Sequence, residues 1–175
     1  MPPRRRRDRG EPSPPLEEAK ALALRVLAFH ARSEAQVRAR LAREGLGDQA
    51  DEVVGWLRRF RYVDDVAFAR GRALALLARL GPRLVELRLR AAGVDAALAR
   101  SAVAAAAEER ASERRPDEPA EVALCRAALR ARIKGGAAAA LDERSRARIA
   151  RFLLGRGFSG GSVSRVLGLR VDVER

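Results

Sequence analysis

Cysteine and histidine each occur once in this 175-residue chain, as Cys125 and His30. A lone cysteine allows no internal disulfide, and one cysteine with one histidine cannot furnish a zinc site. Aromatic residues make up only 4% of the chain, although apolar residues reach 47%. Alanine supplies much of that apolar share, which suits thin helix–helix contacts better than a sheet core. No apolar run approaches the roughly 18 residues that a membrane helix requires. The basic N-terminus, MPPRRRRDRG, has no apolar stretch behind it, so it does not read as a secretory signal and a cytoplasmic location is expected. The Gly-Gly pairs at 135–136 and 160–161 lack the G-x-G-x-x-G context of a phosphate-binding turn. There is no Ser/His/Asp set and no carboxylate cluster. The sequence therefore predicts no catalytic residue, no metal and no cofactor.

Arginine is what the chain has in excess. Basic residues number 36 against 23 acids, a net charge of +13, and all but two of the basic residues are arginine. Residues 1–18 contribute only +1, whereas 19–110 and 111–175 contribute +6 each. The charge belongs to the body of the protein and would draw it toward polyanions, either nucleic acid or an acidic protein surface. The plainer reading is a set of solvated helix faces.

The chain also repeats itself. SEAQVRARLAREGL (33–46), GPRLVELRLRAAGV (81–94) and SRARIARFLLGRGF (145–158) align without gaps. Each opens on a residue suited to a helix start. Ser33 with Gln36 forms a capping box, Gly81 places Pro82 at the first helical position, and Ser145 is a cap type. Each carries an apolar pair at i and i+4: Val37/Leu41, Val85/Leu89 and Ile149/Leu153. Each closes on Gly45, Gly93 or Gly157, where a left-handed C-cap falls, followed by Leu46, Val94 or Phe158. A helix precedes each copy, at 17–31, 65–79 and 119–134. A shorter one follows, at about 48–60, 95–108 and 160–168. The expected fold is all-α, an elongated array of three tandem three-helix repeats that stack because none buries much core alone.

The predicted organisation is a disordered basic, Pro-rich arm at 1–16, repeats at 17–62 and 63–110, a polar linker at 111–118, a divergent third repeat at 119–170 and a short tail at 171–175. The third repeat departs through the Ala-rich insertion KGGAAAALDE (134–143), and that part is expected to be the least stable. Cys125 lies at i+3 from Val122 and i−4 from Leu129, a small core position. His30 sits near a helix end.

Between the first two repeats stands FRYVDDVAFAR (60–70). Its acidic pair reads as punctuation. Asp64 suits the N-cap, Asp65 the first helical position, and Val63 with Phe68 a hydrophobic staple. The only histidine lies 34 residues away from Asp64, and no third acidic ligand is at hand.

The opening Ser33-Glu34 with Leu41 and Gly45, then Y-V-D-D-x-x-F-A (62–69), then G-P-x-x-x-x-x-x-L-x-x-x-G-V (81–94), resembles the RecX family. The likeness is good over about 19–106 and weaker over 119–168. It implies an array of three-helix repeats and a regulatory protein that is not an enzyme. Such proteins lie along the helical RecA–DNA filament and oppose its growth or persistence, damping strand exchange and the co-protease signal of the SOS response. The implied partner is the RecA filament, with single-stranded DNA touched indirectly or weakly, no membrane and no small-molecule substrate; the chain itself is expected to be a monomer. The alternative from the residues alone is a direct nucleic-acid-binding helical protein, such as a helix-turn-helix regulator.

Candidate contact residues follow from the repeat. Arg40 and Arg88 occupy the same place in the first two copies, and Phe152 takes it in the third. Arg38, Arg43, Arg83 and Arg90 lie on the same helices. Arg58, Arg59 and Arg61 cluster beside Trp56 and Tyr62, an arrangement that could bind phosphates and stack on bases. The aromatics themselves are expected to pack between repeats.

Overall fold

The structure is a computed structural model that describes residues 14–112, 114–133 and 142–169. Most of the predicted arm, nearly all of the 134–143 insertion, and the tail lie outside the described residues. Nine α-helices follow one another among the described residues, with no strand: α1 (Pro14–Phe29), α2 (Glu34–Arg43), α3 (Ala50–Arg59), α4 (Asp65–Leu77), α5 (Pro82–Ala91), α6 (Ala96–Arg110), α7 (Ala120–Arg132), α8 (Glu143–Gly155) and α9 (Gly160–Leu167). A short 3₁₀ turn, Gly47–Gln49, leads into α3.

The helix starts are held by local hydrogen bonds. Ser33 Oγ accepts from the Gln36 N–H at 3.2 Å, and Gln36 Oε1 accepts from the Ser33 N–H at 3.3 Å, which closes a capping box on α2. α5 starts on Pro82 after an extended Gly81, with no side-chain cap. α8 differs from the sequence reading. Asp142, not Ser145, is its cap, with Oδ1 accepting the Ser145 N–H at 3.1 Å. Ser145 therefore sits inside the first turn, because an aspartate three residues upstream supplies the acceptor first.

The three helix ends are the same. Gly45, Gly93 and Gly157 have φ of +76°, +82° and +89°. The N–H of the next residue returns to the carbonyl five positions back, Leu46 to Leu41 at 2.9 Å, Val94 to Leu89 at 3.1 Å and Phe158 to Leu153 at 3.3 Å. Such a closure needs a left-handed residue at its centre, which costs glycine nothing.

The chain divides into two compact units, 1–65 and 66–175. In the first, α2 packs on α3 and both on α1. Its core joins Ala19, Leu22 and Ala23 of α1, Val37 and Leu41 of α2, Val53, Val54 and Leu57 of α3, and Val63. The second unit has one continuous core that takes residues from α4 through α9. α4 contributes Ala69, Ala73 and Leu77, at i, i+4 and i+8. Val85 and Leu89 of α5, Ile149 and Leu153 of α8, and Cys125 of α7 lie in the same cluster. The last six helices thus share apolar burial, the main favourable term in folding. Burial drives the Cys125 thiol up to about 12, so it stays protonated and serves as packing.

Val63 is buried in the first core, whereas Phe68 packs against the second. Asp64 is exposed and directly precedes α4, whose first residue is Asp65.

Candidate partner-binding surfaces

The first unit is organised around Glu34 at the start of α2. Its carboxylate takes Arg58 of α3 in two bonds, Nη2 to Oε2 at 2.7 Å and Nε to Oε1 at 2.9 Å. Arg38 Nη1 adds a third contact at 3.3 Å. Arg58 first, and Arg38 after it, hold the Glu34 carboxyl below the usual carboxylate range against the opposing effect of burial. Arg38 Nε also reaches Asp51 at 3.2 Å. The Glu34 N–H donates to Asp65 Oδ1 at 2.8 Å. Asp65 is therefore more than a charge at a helix start, since it satisfies a backbone donor at the N-terminus of α2, 31 residues earlier. Periodicity gives no signal for a contact of that range.

These bonds sort the candidate arginines. Arg38 and Arg58 are engaged with the scaffold, and Arg40 pairs with Glu44 at 2.8 Å. Arg43 donates from Nε to the Ala39 carbonyl at 3.3 Å. Arg59 and Arg61 are exposed at the end of α3. Arg61 has φ +58°, an unusual left-handed conformation for a side chain of this size.

Beside these two arginines stand three rings. The Trp56 and Phe60 centroids are 5.5 Å apart, Trp56 and Tyr62 5.7 Å, and Phe60 and Tyr62 6.5 Å. Lys20 Nζ lies 5.6 Å from the Trp56 ring. The rings are not core residues: Phe60 is 56% and Tyr62 53% exposed, and only Trp56 is half-buried. The sequence reading favoured packing between repeats. Within the first unit Trp56 packs against the core that holds Leu57 and Val63, while Phe60 and Tyr62 are largely accessible.

In the second unit Arg83, Arg88 and Arg90 are exposed on α5. Arg83 and Arg90 border a groove of about 620 Å³ that also receives Leu87, Leu154 and Phe158. At the third-repeat position equivalent to Arg40 and Arg88, the ring of Phe152 carries two guanidinium groups. Arg156 lies 4.8 Å and Arg132 5.4 Å from its centroid, so positive charge is present there by way of neighbours.

Sequence reasoning missed Arg25 and Arg32. Both line a groove of about 500 Å³ between α1 and α2 together with Arg40 and Arg43. Arg25 alternates with apolar residues on α1 and looks like a solvated position until α2 is laid beside it. Among the described residues no group of three or more potential metal ligands occurs, and no helix is long and apolar enough to cross a membrane.

An all-helical fold of repeated three-helix sets defines a class of helical-repeat proteins. The family profile described as RecX, first three-helix domain, matches residues 19–57. The chain is 36% identical over 144 residues to the regulatory protein RecX of Thermus thermophilus, covering 82% of this chain and 86% of the relative. It is 32% identical over 149 residues to the regulatory protein RecX of Syntrophotalea carbinolica, covering 83% and 91%. The crystal structure of RecX from Lactobacillus salivarius superposes with a TM-score of 0.68 at 18% identity, over 89% of this chain and 98% of that one. The chain belongs to the RecX family.

Proposed function

We propose that the protein binds the RecA–DNA filament and restrains it, lowering strand exchange, ATP turnover and co-protease signalling without catalysing a reaction itself. The relation to proteins named regulatory protein RecX, at 36% identity over 82% of the chain, carries this reading. The surface is consistent with it. A chain of net charge +13 accelerates encounter with a polyanionic filament and makes binding salt-sensitive. Arg59 and Arg61 beside the exposed Phe60 and Tyr62 offer charge for phosphates and flat faces for bases. DNA repair and recombination in the cytoplasm would be the setting.

The test is to add the folded protein to RecA on single-stranded DNA and follow ATPase or strand exchange. Inhibition at or below a stoichiometric amount is expected, and no effect at that ratio would rule the reading out. The pair Arg40→Glu with Arg88→Glu probes the shared position of the first two repeats, and unchanged inhibition would remove both from the interface. A direct nucleic-acid-binding regulator is the second reading, favoured by the exposed aromatics beside arginine. Tight sequence-specific binding to DNA without RecA would select it, whereas weak, salt-sensitive binding fits the filament regulator.

A further inference from the structure

The groove between α1 and α2 combines two features that the family relation does not explain. Its α1 wall presents Leu22, Val26 and Phe29, spaced i, i+4 and i+7, and Phe29 is left 79% exposed. Its rim is formed by Arg25 from α1, Arg32 from the connection, and Arg40 and Arg43 from α2. Among the described residues that line it there is no acid. Arg40 is paired with Glu44 through Nη2. The Nε atoms of Arg32 and Arg40 are buried without an acceptor there. An apolar floor under a rim of four arginines, two of which keep an Nε without an acceptor, is an unfilled binding arrangement.

We propose that this groove seats an acidic segment of a protein partner that also carries an apolar side chain, its carboxylates meeting the arginines and its apolar group covering Phe29. The inference rests on the proposed regulatory reading only for the partner being a protein. Charge complementarity selects the occupant. The chain's own N-terminal arm carries five arginines and has the wrong sign, and so does a second copy with its net charge of +13. Nucleic acid would satisfy the rim but not the floor. Leu22 and Val26 are aliphatic, and one ring offers less stacking surface than the Trp56, Phe60 and Tyr62 group of the same unit. A segment that alternates carboxylates with apolar side chains, as one face of an amphipathic helix does, fits both.

The test uses the full chain and three fluorescent probes. The first is a helical peptide of about 18 residues with Leu and Phe along one face and Glu on the other. The second is its counterpart with Lys in place of Glu, and the third is an oligothymidine of similar length. The acidic peptide is expected to bind and the lysine peptide not. Phe29→Ser, and separately Arg25→Glu with Arg43→Glu, should each weaken the acidic peptide about tenfold or more. Phe29→Leu, which keeps an apolar group but not a ring, should retain it. Oligothymidine affinity should not change in Phe29→Ser. Helical circular dichroism establishes that each variant is folded, which the exposure of Phe29, Arg25 and Arg43 favours. Absent peptide binding, or peptide binding indifferent to the substitutions, would overturn the proposal, as would an equal loss of oligothymidine in Phe29→Ser. A parallel titration of wild type with RecA filaments judges the regulatory reading by itself, since the peptide result stands whichever way that titration falls.

Discussion

The Gly81 N–H donates to the Arg156 carbonyl at 2.7 Å, joining the start of α5 to the turn that ends α8. Arg156 holds the same connection a second time, with Nη1 donating to the Arg79 carbonyl at 2.7 Å. At this joint backbone lies on backbone. A methyl group on Gly81 would stand 2.5 Å from the carbonyl carbon and oxygen of Gly157 and from the nitrogen of Phe158. None of these atoms can rotate away, so the joint must open to admit the group.

Gly81→Ala is therefore expected to destabilise the second unit by about 1–3 kcal/mol, the usual cost of overpacking. Gly71, in the middle of α4 with open space around its Cα, is the control. Gly71→Ala should instead gain roughly 0.5–1 kcal/mol from helix propensity. Urea unfolding midpoints measure both. Two substitutions of the same sign would remove the close approach from the account of stability.

Glu34 predicts an acid-sensitive contribution. Its carboxyl is held below the ordinary value by Arg58 and Arg38. A depressed folded-state value means the unfolded chain takes up its proton at higher pH. The stabilisation is therefore fully present above the unfolded value, about 4.3, and is lost as pH falls from there through the folded value. Glu34→Gln should be less stable than wild type at neutral pH, and the gap should close on acidification through that window. Stability curves at several pH values decide it, and a gap that stays constant as pH falls below the unfolded value of about 4.3 would show that the ion pairs are not its source.

Asp65 offers a sharper test of the acidic pair. Asp65→Ala removes the acceptor of the Glu34 N–H and leaves a part-buried donor unpaired, a loss of about 1–3 kcal/mol. Asp65→Asn keeps an acceptor oxygen and should recover most of it. Asp64→Ala, at the position preceding α4, should cost about 1 kcal/mol as the loss of a cap. Thermal unfolding of the three variants ranks them. Equal losses in the Ala and Asn variants of Asp65 would return the effect to its charge.

The repeats were legible because each is written locally. A capping serine, an apolar pair four apart and a closing glycine all sit within fourteen residues in the first copy, 33–46. The contacts that turn repeats into units were not legible. Gly81 reads as a helix start, and its burial against a turn 75 residues later leaves no periodic trace. Glu34 reads as first-turn charge, yet it gathers Arg58 from 24 residues away. The arginine candidates stood out by recurrence, by sharing a helix or by clustering in sequence, which mark position and not freedom. Arg40 and Arg88 recur, and Arg40 is tied to Glu44; Arg38 and Arg58, chosen for their helix and cluster, are committed to Glu34, while Arg25 and Arg32, which carry no such mark, line an open groove.

Arg61 separates scaffold from function in one residue. It occupies the left-handed closing position of α3, with its N–H donating to the Arg58 carbonyl at 3.0 Å and the Tyr62 N–H to the Leu57 carbonyl at 2.8 Å. That is the closure made by Gly45, Gly93 and Gly157 in the three repeats, here performed by a residue with a Cβ. A left-handed non-glycine residue costs about 1–2 kcal/mol, and glycine's greater unfolded-state freedom returns part of the gain. Arg61→Gly should therefore raise stability by about 0.5–1 kcal/mol. The same change deletes a guanidinium beside Phe60 and Tyr62. If Arg61 meets a phosphate, the slope of log affinity for single-stranded DNA against log salt should fall by about 0.7, with weaker binding to RecA filaments at low salt. Higher stability with unchanged affinity and slope would make Arg61 an imperfect cap and nothing more. Higher stability with lower affinity would show a residue kept in a strained conformation for the contact it makes.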